Sequence, residues 1–167
     1  MTTTVLVGNP KPQSRTWQAA HLVAERLTGR RADVDIDLAS FGPALLDWTS
    51  EAVADAVARV EASSLLVVAS PTYKATYTGL LKLFLDRIGG GALNGLPAVP
   101  LMLGGHWRHA LAAELHLKPL LAELGAATPT PALYLLDSEW EASETLDGWL
   151  AAARRTLPLA ASGAGAG

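Results

Sequence analysis

Cysteine is absent from the 167 residues. Disulfide frameworks, thiolate metal sites and cysteine nucleophiles are therefore all excluded. No apolar run approaches the roughly 20 residues a membrane-spanning helix needs, although half of the chain is hydrophobic. The net charge is only -3, with no basic stripe to mark a nucleic-acid surface and no acidic block to mark a disordered tail. The first residues lack the basic-then-apolar pattern of a secretory signal, so a cytoplasmic protein is expected. There is no internal repeat and no interior linker. A chain of this length buries about 70 % of its unfolded surface and needs no metal or disulfide staple. One domain is expected over residues 1–158, followed by a flexible tail over 159–167 that contains the low-complexity run Ser162 to Gly167.

What is present alternates between two periods. Thr3 to Val7 is a short apolar strand. Arg15 to Leu27 carries Ala19, Leu22, Val23 and Leu27 at helical spacing, and Gly29 closes it. Asp33 to Leu38 alternates strictly, with Val34, Ile36 and Leu38 set against Asp33, Asp35 and Asp37, which places it at a sheet edge with one face in water. Ser50 to Ala62 predicts a helix with Val53, Ala54, Val57 and Val60 inward. Leu65 to Ala69 and Val99 to Leu103 are apolar at nearly every position and read as central strands buried on both faces. Between them, Thr78 to Ile88 predicts a helix ended by Gly89-Gly90-Gly91. His109 to Leu124 predicts a fourth helix, Ala132 to Leu136 a fifth strand and Ser143 to Leu157 a last helix.

Strict alternation of strand and helix implies a parallel sheet covered on both faces, with right-handed crossovers. The polar second strand fits the edge of a 2-1-3-4-5 order. The fold class expected is thus an α/β three-layer αβα sandwich of the flavodoxin-like kind, with five parallel strands. Such sheets bind ligands beyond the carboxyl ends of the strands, near the switch between strands 1 and 3. Three loops then matter: Gly8 to Thr16, Ser70 to Thr78 and Gly104 to His109.

The first loop leads into a helix N-terminus, whose unpaired N–H groups and partial positive charge suit an anion. Ser14 and Thr16 add hydroxyl donors, Lys11 and Arg15 add charge, and Pro10 and Pro12 stiffen the approach. The spacing is neither that of a P-loop nor that of a dinucleotide glycine motif. From the loop alone two readings stand: an anion site, or a helix merely capped by Ser14 with Arg15 in solvent.

The stretch from Pro71 through Asp86 resembles the NADPH-dependent FMN reductase family, whose members in alkanesulfonate utilisation read nearly P-x-Y-K-A-x-Y-[ST]-G-x-L-K-x-x-L-D. The family's opening G-S-P-R-x-x-S-R-S is matched by Gly8 to Thr16, with Asn9, Lys11 and Thr16 in place of serine, arginine and serine. Gly104-Gly105, Leu111 and Leu117-Lys118-Pro119 resemble a third block. Each block is loose by itself; three in order, spanning Val5 to Gly125, are specific.

The resemblance implies hydride transfer from NADPH or NADH to FMN, with reduced flavin passed to a partner monooxygenase. It implies that Ser14, Arg15 and Thr16 hold the FMN phosphate, supported by Asn9; that Pro71, Thr72, Tyr73 and Lys74 pack against the isoalloxazine; and that Gly104, Gly105 and His106 reach the pyrimidine edge. Donors at that edge stabilise charge arising on reduction. Hydride transfer needs no acid, base or nucleophile, so no catalytic side chain is assigned. A homodimer or homotetramer is implied, joined through the helices beginning at Thr78 and His109, with no nucleic-acid or membrane partner. A π-bulge is implied beside Lys118-Pro119, with His116 in the place of the subfamily's tyrosine or histidine; the alternative makes Leu115 a core residue. Trp107 either covers the flavin ring or caps the core edge. His106 and His109 lack a third metal ligand at suitable spacing, so no metal is expected. Two functional alternatives share this fold: an FMN-bound reductase of quinones, azo dyes or metal oxyanions, and a flavodoxin-like electron carrier.

Overall fold

The structure is a computed structural model that describes residues 1–159; the expected tail beyond them lies outside the described residues. Five parallel strands run β1 (Thr3–Val7), β2 (Val34–Asp37), β3 (Leu65–Pro71), β4 (Ala98–Gly104) and β5 (Leu133–Leu136). Their order across the sheet is β2-β1-β3-β4-β5, which is the flavodoxin-like order. Val5 sits opposite Asp35 on one side and Val67 on the other. The helices are α1 (Arg15–Thr28), α2 (Glu51–Glu61), α3 (Gly79–Leu85), α4 (Lys118–Glu123) and α5 (Glu144–Thr156).

Side-chain alternation divides the core into two layers. Val5, Val7, Val67, Leu101 and Leu135 meet Ala19, Val23 and Leu27 of α1 and Leu146 and Leu150 of α5. Leu6, Leu66, Val68 and Met102 meet Val53 and Val60 of α2, Leu81 and Phe84 of α3 and Leu121 of α4. Strands β1, β3 and β4 are buried at every residue, whereas β2 keeps only Ile36 fully buried, as its strict alternation requires of an edge. Among the described residues no helix is long and apolar enough to cross a membrane.

Several expectations need correction. Ala54 is exposed, and Ala56 takes the inward place on α2. Helix α3 ends at Leu85, before the glycine run; Arg87 and Ile88 bond back only three residues, to Phe84 and Leu85, which tightens the end into a turn. The segment from His109 is not one α-helix. A 3₁₀ turn at Trp107–His109 gives way to a π-helical turn at Ala113–Leu117, the bulge that the resemblance implied, and only then to α4. Pro119 is thereby placed in the first turn of α4, where its missing N–H has no intrahelical partner to lose. Leu115 is 60 % exposed rather than a core residue. Leu159, assigned to the tail from the sequence, packs against the core layer of α1 and α5.

A buried polar network joins β1, β3 and α3 where the strand order reverses. The Thr78 hydroxyl donates to the Gly8 carbonyl at 2.6 Å and accepts the Leu81 N–H at 3.1 Å, so it both caps α3 and holds the end of β1. The Thr78 N–H donates in turn to Ser70 Oγ at 3.0 Å. Gly8 lies so close to α3 that a Cβ there would meet the Leu81 Cβ at 2.4 Å, so only glycine fits. Thr78→Val keeps the shape but removes the cap, about 0.5–2 kcal/mol, and strands a buried carbonyl, about 1–3 kcal/mol. Urea unfolding is expected to show a loss of about 2–4 kcal/mol for Thr78→Val, and less than half of that for Thr78→Ser, which retains the hydroxyl.

Candidate functional site

Four chain segments meet at the carboxyl end of the sheet around a cavity of about 230 Å³. The segment after β1 supplies Asn9, Lys11, Ser14, Arg15 and Thr16; the end of β3 and its loop supply Pro71 and Tyr73; β4 supplies Leu103 and the turn after β5 supplies Asp137.

The first loop is shaped by its own side chains. Asn9 Oδ1 accepts the Lys11 N–H at 2.9 Å, and Asn9 Nδ2 donates to Thr16 Oγ1 at 3.0 Å. Gln13 adopts a left-handed φ of 48°, and its N–H donates to Asp37 Oδ2 at 2.9 Å. The edge strand's last carboxylate thus holds the loop's strained residue. Ser14 caps α1 by accepting the Trp17 N–H at 3.2 Å. Ser14 and Thr16 are 4 % and 2 % exposed. Both hydroxyl oxygens act as acceptors, so both hydroxyl hydrogens remain available as donors. The capping and anion-site readings of Ser14 are therefore compatible. The Arg15 guanidinium spans the cavity mouth, donating to the Asp137 carbonyl at 3.1 Å and lying 3.9 Å from its carboxylate.

The second loop makes a tight hairpin. Tyr73 and Thr76 exchange backbone hydrogen bonds at 2.9 and 3.2 Å, and the two residues between them, Lys74 and Ala75, have φ of 51° and 66°. This is a type I′ turn built without glycine. Tyr73 is left 51 % exposed beside the cavity. Thr72 anchors the strand end through its N–H to the Leu103 carbonyl; its hydroxyl is buried near the Tyr134 hydroxyl without a hydrogen bond of good geometry.

The third loop is held by Tyr134 of β5. Its hydroxyl donates to the His106 carbonyl at 2.9 Å, and burial raises its pKa above the ordinary phenol value. Gly104 lies so close that a Cβ would meet the Tyr134 hydroxyl at 2.1 Å and Thr72 Oγ1 at 3.0 Å. Trp107 is half-exposed at the margin, its ring 5.9 Å from that of Tyr134.

Of the residues singled out from the sequence, Asn9, Ser14, Arg15, Thr16, Pro71 and Tyr73 share the cavity, while Gly104 at the end of β4 and Thr72, Lys74, Gly105 and His106 in the adjoining loops do not line it. Leu103 and Asp137 went unread, and Lys11 was read only as added charge. Their signal was position: Leu103 is near the end of its strand and Asp137 directly follows one, where such sheets bind ligands.

Leu115 and His116 on the π-helical turn, with Leu111 just before it, line a second, shallower cleft of about 160 Å³ that also touches Ala75. Glu114, on the same turn, accepts from Lys118 Nζ at 2.7 Å and from the Ala132 N–H at 2.6 Å. Burial opposes its ionisation, but these two donors outweigh it and hold Glu114 below the usual carboxylate range. Among the described residues no three His, Asp or Glu side chains converge as a metal site.

A family model described as NADPH-dependent FMN reductase matches residues 1–141. The chain is 34 % identical over 140 residues to an FMN reductase (NADPH) of Escherichia coli K12, covering 80 % of this chain and 72 % of that protein. It is 33 % identical over 138 residues to the NADH-dependent FMN reductase SfnF of Pseudomonas putida, covering 78 % and 74 % of the two chains. Among solved structures it resembles the apo form of the NADH:FMN oxidoreductase EMOB, with a TM-score of 0.81, 30 % identity and coverage of 92 % and 86 %.

The hairpin turn yields a test of local strain. A left-handed non-glycine residue costs roughly 1–2 kcal/mol, and a glycine there loses about 0.5–1 kcal/mol to unfolded-state entropy. Replacing Lys74 and Ala75 by Asn-Gly is expected to raise stability by about 1 kcal/mol, read as a higher Tm in a thermal melt.

Proposed function

The chain belongs to the NADPH-dependent FMN reductase family, and from that premise we propose which of its residues serve the reaction. As in its relatives, the reaction is hydride transfer from NAD(P)H to FMN. The observation that carries the assignment is the cavity that gathers Ser14, Arg15 and Thr16 at the start of α1. It combines two buried hydroxyl donors, two cationic side chains and the free N–H groups of a helix N-terminus, a donor set that fits a phosphate dianion. The close approach at Gly104, where any Cβ would meet Tyr134, leaves backbone as the surface presented there.

Ser14, Arg15 and Thr16 hold the FMN phosphate, with Asn9 orienting the Thr16 hydroxyl and Lys11 adding charge at the mouth. Pro71, Thr72, Tyr73 and Lys74 form the wall for the isoalloxazine, and Gly104, Gly105 and His106 offer backbone at its pyrimidine edge. Tyr134 acts through the His106 carbonyl as a positioning residue. When bound, FMN supplies the hydride acceptor. The protein's part is orientation and a fixed pattern of donors, which lowers the barrier without a catalytic acid or base. Reduced flavin then serves a partner monooxygenase. Dependence on NAD(P)H fits a cytoplasmic setting.

The exposed leucines beside the π-helical turn support a reading of assembly. There Leu111 and Leu115, four residues apart, are 65 % and 60 % exposed and line one cleft. A monomer that left these side chains in water would forgo burial worth roughly 1.5–3 kcal/mol for each large one. We assign this face to a homodimer or homotetramer contact. Light scattering at micromolar concentration is expected to give a dimer or tetramer mass, and Leu111→Glu with Leu115→Glu is expected to shift it to monomer.

The phosphate assignment is tested by Ser14→Ala with Thr16→Ala. Hydrogen bonds to a charged group are worth about 1.5–3 kcal/mol each; discounted for replacement by water, the pair amounts to about 2–4 kcal/mol, or roughly 30- to 1000-fold in Kd. Fluorescence titration is expected to show that loss for FMN and almost none for riboflavin. Equal weakening of both flavins would mean that the substitutions only damaged the start of α1.

A further inference from the structure

The cavity that receives the phosphate also contains a carboxylate. Asp137 follows β5 directly and forms part of the cavity wall with Ser14, Arg15 and Thr16. Its N–H donates to the Gly104 carbonyl at 3.1 Å, so its backbone is tied to the end of β4 and the side chain cannot drift far from the mouth. It engages Arg15 twice, through its carbonyl at 3.1 Å and its carboxylate at 3.9 Å. No cation other than Arg15 lies within ion-pair distance of Asp137 among the described residues.

A site selected only for tight phosphate binding would contain no fixed negative charge. From the geometry we propose that Asp137 is an affinity-limiting residue: its carboxylate competes with the FMN phosphate for Arg15 and repels the phosphate, so that the flavin is released as a substrate rather than retained as a prosthetic group. This rests on the phosphate reading of the first loop given above. Arg15 is divided between the phosphate and Asp137, and the α1 N-terminus with Ser14 and Thr16 provides the rest of the grip. The like-charge cost is moderate because Asp137 is 46 % exposed and partly screened. A partly screened unit charge on the wall of the cavity that holds a dianion, at an effective dielectric close to that of water, changes Kd by roughly 5- to 20-fold. Riboflavin lacks the phosphate and is indifferent to Asp137.

Asp137→Asn tests this without a change of shape, because the backbone carbonyl that also receives Arg15 is retained. Paired fluorescence titrations of FMN and riboflavin are made on wild type and variant at low salt and again in 0.5 M NaCl, together with stopped-flow measurement of FMN dissociation. The expected result is FMN bound roughly 5- to 20-fold more tightly by the variant, a correspondingly slower dissociation, unchanged riboflavin affinity, and a gain that shrinks in high salt. Unchanged or weaker FMN binding would overturn the proposal, because Asp137 would then serve to position Arg15 on the phosphate. Equal tightening of both flavins would overturn it too, by showing an effect of packing rather than of charge. Wild type that binds FMN no better than riboflavin would instead refute the phosphate reading itself, and this inference with it.

Discussion

The architecture of the site depends on one buried hydroxyl. Thr78 lies seventy residues beyond Gly8, yet its Oγ1 donates to the Gly8 carbonyl while accepting the Leu81 N–H, one of the free N–H groups in the first turn of α3. A carbonyl at the end of a central strand and an N–H at the start of a helix are both groups that secondary structure leaves unpaired. One side chain satisfies both, and so fixes where the chain leaves β1 relative to where it re-enters after β3. The near-contact of Gly8 with Leu81 follows from this junction. With the junction fixed, the first and second loops start from defined points and converge on one cavity.

The loops themselves hold strain that a fold without a ligand site would avoid. Gln13, Lys74 and Ala75 all have left-handed backbone without being glycine. Each is over-determined by its surroundings: Gln13 by its bond to Asp37, the other two by the paired backbone bonds of Tyr73 and Thr76. Such outliers cluster where a backbone must present groups to a ligand. The result is a cavity whose walls come from four strand ends but whose shape belongs to short, stiff turns. A reaction that needs only orientation and electrostatics is well served by that stiffness, since donors fixed in advance need no reorganisation when charge shifts.

The π-helical turn connects this site to the molecule's exposed apolar face. One extra residue in the helix at Ala113–Leu117 rotates Leu115 and His116 outward while leaving Ala113 and Leu117 buried. Glu114 stabilises the irregular turn from the side by bonding Lys118 and the entrance to β5. The same shift carries Pro119 into a first helical turn, where it does no harm. The bulge, the proline and the exposed leucines thus form one local solution, placed against the hairpin that carries Tyr73.

The sequence by itself determined the strands, their order and the two-layer core, because burial on both faces and alternation at an edge leave direct marks in hydrophobic periodicity. It also disclosed the residues of the first loop, whose chemistry is local: Ser14 caps the helix that follows it, and Asn9 reaches Thr16 only seven positions away. Periodicity alone read the helix from His109 as regular, since a π-helical turn changes hydrogen bonding without changing composition; only the family resemblance implied the bulge that the structure shows at Ala113–Leu117. Ala54 and Ala56 could not be told apart on α2, because alanine is equally at home inside and outside. Asp37, Leu103, Tyr134 and Asp137 entered the site unannounced. Each lies at or near a strand end, far in sequence from its partner: Asp37 from Gln13, Leu103 from Thr72, Tyr134 from His106 and Asp137 from Arg15. Pairings of that kind exist only once the sheet has stacked its strands side by side, so only the tertiary structure could bring the Asp137 carboxylate into the cavity of the first loop.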